Sequence, residues 1–310
     1  MSGETDLEHA VTQRLVRAKR LQDLVFGVVG ILVLIVVMGL LVTLVADLLI
    51  DGVGRISPEF LTSFPSRRAA GAGVLSAWIG TTLVMFVTAA IAIPLGVGAG
   101  LYLEEYASKN MLTDAIEINV SNLAGVPSII YGLLALGFFV YGLNLGQTVL
   151  VGGMVLALLI LPIVIVATRE ALRAVPSGLR ESAYGIGANR WQVMWSYILP
   201  SARPGILTGA IVGLSRAIGE TAPIITIGAL TYIAFLPPAP ISTTPPWINF
   251  DWLNSPFTVM PIQMFNWISR PQAEFHVNAA ATGVLLLGMT LLMNGFAIYL
   301  RYRLRRLVRT

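Results

Sequence analysis

From Leu24 to Ala46 the chain carries no charged residue, and Asp47 is the only charge before Ile50. An apolar run longer than about 18 residues is a candidate for a helix that crosses a bilayer. This run is too long for the core of a signal peptide and lacks a clear small-residue cleavage site, so it is expected to stay in the mature protein. Other apolar runs follow it. The whole chain is 56% hydrophobic and 12% charged, where soluble domains carry about 25% charged residues. The short alternating segments of a membrane β-barrel are absent. The expected fold class is all-α, a polytopic membrane protein.

Six transmembrane helices are expected, at about 24–50, 74–103, 118–141, 149–168, 205–235 and 279–299. They follow a basic N-tail, 1–22, and precede a basic C-tail, 301–310. Segments 51–73 and 236–278 read as external loops, and the stretch 74–300 as the body of the membrane domain. Fifteen of the twenty Lys and Arg residues fall in the two tails, the 104–117 turn and the 169–203 stretch. Arg55, Arg67, Arg68 and Arg270 lie opposite, and Arg216 alone falls inside a span. The bias puts both termini and the Arg169–Pro204 loop on the cytoplasmic side of the membrane. Five or seven spans would place the two basic tails on opposite sides. The net charge of +4 is explained by these flanks, so no nucleic acid is expected as a partner.

Several chemistries are excluded or disfavoured. There is no cysteine, and His9 and His276 are the only histidines, so no metal site is expected. A phosphate-cradling ATP loop needs Gly-Lys-Ser/Thr. The only lysines, Lys19 and Lys109, follow Ala18 and Ser108. No catalytic residue is expected, and ATP, if used, must bind another subunit. Gly96, Gly98 and Gly100 have the wrong spacing for a dinucleotide fingerprint and follow no strand. With Pro94 they suggest a kink and close helix packing.

Three stretches carry candidate function. The first is Arg169–Pro204, with five arginines and no lysine. Within it Glu181, Ala183, Gly187, Leu199 and Pro200 are spaced as E-x-A-x3-G-x11-L-P. Ser177 can cap a short helix, Gly185 and Gly187 permit a turn, and Trp191, Val193, Met194 and Trp195 give apolar anchors. Two readings stand: a helix docking into a partner cleft, or an interfacial helix with its Trp residues at headgroup depth. The second is Arg216–Pro223, in which Arg216 and Glu220, four apart, share a helical face ahead of Thr221. They read either as an ion pair stapling the bundle or as a site where an anion passes. The third is Gly125–Gly132. Pro127 breaks or kinks the helix there. A helix restarting near Ser128 would turn amide N–H groups into the bundle, and a plain packing kink is the alternative.

The spacing in the first stretch resembles the cytoplasmic motif of ABC-importer permeases, with Ser182 and Tyr197 departing from it. RAIGETAP (Arg216–Pro223), GVPSIIYG (Gly125–Gly132) and YLEEYA (Tyr102–Ala107) resemble segments of phosphate-uptake permeases of the PstA type. This resemblance implies a type I ABC importer permease fold with a cytoplasmic coupling helix between spans 4 and 5. It implies a substrate pathway lined by Arg216, Glu220, Thr221, Ser128 and Pro127, and coupling through Glu181, Ala183, Gly187, Trp191, Leu199 and Pro200. Arg169 matches a position where Arg is usual; it either touches phosphate or marks the membrane boundary. The implied partners are a paralogous permease (PstC type), two copies of an ATP-binding subunit (PstB type) and an extracytoplasmic phosphate-binding protein (PstS type). ATP and Mg would sit on the ATPase subunit, with no cofactor on this chain. An importer for another oxyanion or solute, or a secondary transporter, are the alternatives.

Overall fold

The computed structural model describes residues 2–241 and 247–307. The tip of the segment expected outside, 242–246, and the end of the basic tail, 308–310, lie outside the described residues, as do the side chains of Arg14 and Arg17. The chain divides into two units, 1–51 and 52–310.

The first unit is a helix, α1 (Ser2–Gly52). The expected tail and first span are therefore one continuous helix. From Leu24 to Ile50 its apolar side chains are exposed along almost the whole length. A helix apolar on all faces suits hydrocarbon.

The second unit begins with a segment that is more ordered than a loop. α2 (Pro58–Thr62) has Pro58 in its first turn and Ser57 as its cap, accepting from the Phe60 N–H. Phe60 is buried against Trp267, with ring centroids 6.0 Å apart. Arg55 lies over Phe60 and donates to the carbonyl of Ala70 at 2.7 Å and to Asn278 Oδ1 at 2.9 Å.

α3 (Leu75–Leu101) runs through Pro94 without interruption and ends in a π turn, Tyr102–Tyr106. α4 (Met111–Leu123), capped by Asn110, and α5 (Ser128–Ala135), extended by a π turn to Gly142, meet at 106°. The expected span 118–141 is thus two helices. Pro127 has no N–H to continue a ladder and holds its predecessor extended, which explains the break. α6 (Val149–Arg173) opens on Thr148, which accepts from the Val151 N–H, and runs past the expected end at Thr168. After α7 (Ser177–Gly185) and α8 (Arg190–Gln192) a π turn, Val193–Ile198, leads into α9 (Leu199–Gly219).

The expected fifth span, 205–235, is corrected on both sides. Its helix starts at Leu199 and stops at Gly219; beyond it only α10 (Ala222–Thr226) is helical before Phe235. The segment 236–278, read as an external loop, is partly helical. It contains α11 (Met260–Ile268), whose Met260, Ile262, Gln263 and Trp267 are buried. α12 (Ala273–Leu307) begins ahead of the expected sixth span.

Among the described residues four helical stretches are long and apolar enough to cross a membrane: Gln22–Arg55, Leu75–Tyr106, Val149–Arg173 and Ala273–Arg303. The α4–α5 pair makes a fifth if taken as one span. The chain is a multi-pass membrane protein. α9, with 21 residues, is about 31 Å long, which matches a bilayer core by length. Arg203, Arg216 and its prolines and serines dilute its apolar character.

The core is the seam of α3, α6 and α9. Val155, Ile160 and Val164 are wholly buried in it. Between helices in lipid, close packing at small residues replaces the hydrophobic driving force. Gly205 and Gly209 of α9 face Ala171 and Ala167 of α6, and a Cβ on Gly205 would stand 2.6 Å from that of Ala171. A Cβ on Gly80 of α3 would overlap the carbonyl of Thr258, so the chain leading into α11 crosses α3 in direct backbone contact.

Candidate functional site

Two groups of charges occupy different places in the second unit. The first sits where α9 ends. Arg216 is in the last turn, and Glu220 is the first residue with extended backbone (φ −74°, ψ 123°). Arg216 Nε lies 3.3 Å from Glu220 Oε1, and their side chains are 36% and 18% exposed. The two meet as their spacing suggested, but across a helix end and not along one helical face. Pro223, in the first turn of α10, explains the stop: in a continued helix it would have no N–H for the Gly219 carbonyl four residues back, and its ring would clash with that carbonyl.

Around this break the chain is open on one side. Thr221 and Gly219 line a groove of about 420 Å³ with Pro261, Met264 and Phe265 of α11. Glu220 borders a small cavity with Thr81 and Met85 of α3 and Leu156 of α6. α5 packs against α10 at Gly132, where a Cβ would strike Pro223 and Thr226. Pro127 and half-buried Ser128 stand at the start of α5. Buried Tyr131 donates from its hydroxyl to the Leu123 carbonyl at 2.8 Å and so bridges the break before α5. The interrupted segments around Pro127 and Pro223 are thereby brought side by side.

The second group lies at the opposite end of α6. Arg169 is not on a loop but inside α6, 6% exposed. Its guanidinium meets Glu104 Oε2 at 3.3 Å and Glu117 Oε1 at 2.5 Å. Arg173, one turn on, meets Glu104 at 2.9 Å and Glu170 at 3.5 Å. A cavity of about 410 Å³ beside them is lined by Glu117, Ser121, Asn122, Arg169, Glu170 and Arg173. Two guanidiniums here face the three carboxylates of Glu104, Glu117 and Glu170. The balance is negative and leaves no cation unengaged for an oxyanion. The geometry therefore favours a locked, structural Arg169 over one that binds substrate.

Between α6 and α9 the chain folds as two short helices. α7 is capped at Pro176 without a side-chain bond, so Ser177 is its first residue and not its cap. Gly187 adopts φ +85°, a conformation that costs a residue with a Cβ about 1–2 kcal/mol. It reverses the chain so that the Ala188 N–H reaches the Ala183 carbonyl at 3.1 Å. Asn189 and Gln192 then form a reciprocal capping box that starts α8. Ala183, Val193, Met194 and Ile198 are buried with Leu172 and Val175 at the end of α6. Val193 and Met194 are thus internal packing, not anchors for a partner. Glu181, Gly187, Trp191 (62% exposed) and Trp195 (46%) face outward, with the two indoles 5.1 Å apart. Leu199 and Pro200, partly buried, begin α9.

Sequence reasoning missed Glu104, Glu105 and Glu117 as partners of the arginines, and Asn189 as a cap. The signal was present: carboxylates at the ends of apolar runs need cations, and N-x-x-Q is a capping-box spacing.

A family model described as binding-protein-dependent transport system inner membrane component matches residues 92–306. The chain is 36% identical over 196 residues to a probable ABC transporter permease protein, YqgI, of Bacillus subtilis, covering 63% of this chain and 67% of that one. It is 32% identical over 255 residues to the phosphate transport system permease protein PstA of Pasteurella multocida, covering 81% and 84% respectively. Among solved structures, an inward-facing conformation of the MetNI methionine ABC transporter superposes with a TM-score of 0.55 at 17% identity, over 73% of this chain and 93% of that one. That likeness concerns the fold alone: an all-α permease of the ABC-importer type. The chain belongs to the binding-protein-dependent transport system inner membrane component family, as a permease of the PstA type.

Proposed function

We propose that this chain is one permease subunit of an ATP-driven importer of inorganic phosphate. It crosses the membrane six times, with α9 as the fifth crossing and both termini in the cytoplasm. It forms the path with a paralogous PstC-type permease. Two PstB-type ATPase subunits, which carry ATP and Mg, engage α7 and α8, and a PstS-type binding protein delivers phosphate from outside. Similarity to PstA across most of both chains supports the substrate.

The observation that carries the reading is Arg216. It is a partly exposed guanidinium at a helix end, held by one carboxylate at 3.3 Å, and Gly219 and Thr221 of the same helix end line an open groove. A planar guanidinium gives phosphate several charge-assisted hydrogen bonds. Glu220 keeps it neutralised between passages. The outward face of the α7–α8 segment, with Glu181, Trp191 and Trp195, supplies docking anchors of the kind hot spots use. ATP binding closes the ATPase pair, displaces this segment and opens the path outward. Hydrolysis reverses the movement, and phosphate leaves inward past Arg216. No bond in phosphate is made or broken on this chain.

Reconstitution in proteoliposomes with labelled phosphate tests the reading. Uptake is expected only with the second permease, the ATPase, ATP and the binding protein all present. Flux from this chain alone would sink the reading in favour of a secondary transporter. Displacement of the label by sulfate or molybdate as effectively as by phosphate would change the cargo.

A further inference from the structure

Glu104 and Glu105 are neighbours in sequence but serve different partners. Successive side chains on a helix diverge by about 100°, and here both lie in the π turn that ends α3. Glu104 reaches the arginines of α6. The Glu105 carboxylate meets Arg180 of α7 at 2.5 Å. The Glu105 carbonyl accepts from Arg190 of α8, whose guanidinium lies 5.3 Å from the centre of the Tyr106 ring. Arg180 also donates to the Leu172 carbonyl of α6 at 3.1 Å. Each short helix between α6 and α9 thus sends one arginine to a single residue at the end of α3.

The rest of this junction is mainly apolar. Leu172, Val175, Ala183, Val193, Met194 and Ile198 tie the segment to the ends of α6 and α9, whereas α3 contributes only the partly buried Val97 and Leu101. Apolar packing thus holds the segment mainly to α6 and α9. The Glu105–Arg180 ion pair, with side chains 10% and 27% exposed, ties it to α3, because separation leaves a largely buried carboxylate without its cation.

We infer that Glu105 is a positioning residue for energy coupling: it fastens the α7–α8 segment to α3, so that α3 moves with α6 and α9 when the ATPase displaces that segment. The inference rests on the coupling role proposed above. The Glu105 carboxylate acts through Arg180, while its backbone carbonyl holds Arg190.

The test uses the full reconstituted complex and reads phosphate transported per ATP hydrolysed. Glu105→Gln keeps the shape and removes the charge. It is expected to lower that ratio about tenfold, the size of one lost charge-assisted interaction, with complex yield and ATP hydrolysis within about twofold of normal. Arg180→Gln should do the same, and the double substitution should be no worse than either single one, as for two groups acting as a unit. An unchanged ratio, additive losses, or uptake and hydrolysis falling in proportion overturns the role. Should Glu105→Gln fail to assemble, Glu105→Asp retains the charge but withdraws it by one methylene; a lowered ratio supports the clamp and an unchanged one overturns it. The unsubstituted complex separates the two readings. No phosphate uptake there overturns the importer reading and this inference with it. Normal uptake there, with fully coupled variants, overturns only the role of Glu105.

Discussion

Arg169 and Arg216 are both arginines inside helices of one bundle, yet they are held in opposite ways. Arg169 is 6% exposed and enclosed by two carboxylates from other helices, Glu104 and Glu117. Among the described residues Arg216 has a single carboxylate partner, four residues further along its own chain, and its side chain is 36% exposed. A buried cation paired with two partly buried acids has little left to offer a ligand. One with a single long contact and a partly exposed side chain can exchange that contact for another anion. The difference teaches that an intramembrane charge is better judged by how completely it is neutralised than by its presence.

The largest expected effect falls on the locked arginine. Arg169→Ala leaves Glu104 and Glu117 short of a cation, and breaking such a buried pair costs about 3–5 kcal/mol. A thermal melt of the purified complex should show a marked loss of stability; a normal melt would erase the contrast. Arg216→Ala should leave the melt nearly unchanged and reduce phosphate uptake about 10- to 100-fold, the equivalent of one or two charge-assisted hydrogen bonds. Undiminished uptake would remove Arg216 from the path. Smaller still is Gly187→Val, where a β-branched side chain at φ +85° costs about 1–3 kcal/mol. Its expected signature is ATP hydrolysis no longer matched by uptake, and tight coupling in that variant would argue against a docking role for the turn. Asn189→Ala removes the capping box for about 1 kcal/mol. Asn189→Ser should recover most of it in the same melt, and no recovery would mean that the cap is not the cause.

Much of this was legible in the sequence because membrane spans announce themselves by length and hydropathy. The first, second and fourth expected spans fall on α1, α3 and α6. The break at Pro127 was legible too, since proline acts locally. What was not legible depends on partners remote in sequence. α6 continues past Arg169 to Arg173 because Glu104 and Glu117, on other helices, neutralise them; by composition alone the arginines read as a boundary. The segment before α12 showed no helix in its Pro, Trp and Asn content. Its buried helix α11 depends on Gly80, which lets Thr258 pass against α3. At the α9 break, the spacing of Arg216 and Glu220 gave the pairing but not the helix end between them.

The glycines that α9 turns toward α6 have a consequence for how such a chain can vary. Gly205 and Gly209 stand opposite Ala171 and Ala167, so each site already holds the smallest pair of side chains but one. Enlarging the α9 member first overlaps the opposing methyl, and shrinking the α6 member first opens a gap and places a helix-weakening glycine in α6. Every step out of the present pair is downhill in stability, and only a double change returns to level ground. The seam is therefore a stretch of sequence in which drift is arrested from both sides, and the two members of each pair, far apart in sequence, must be inherited as one.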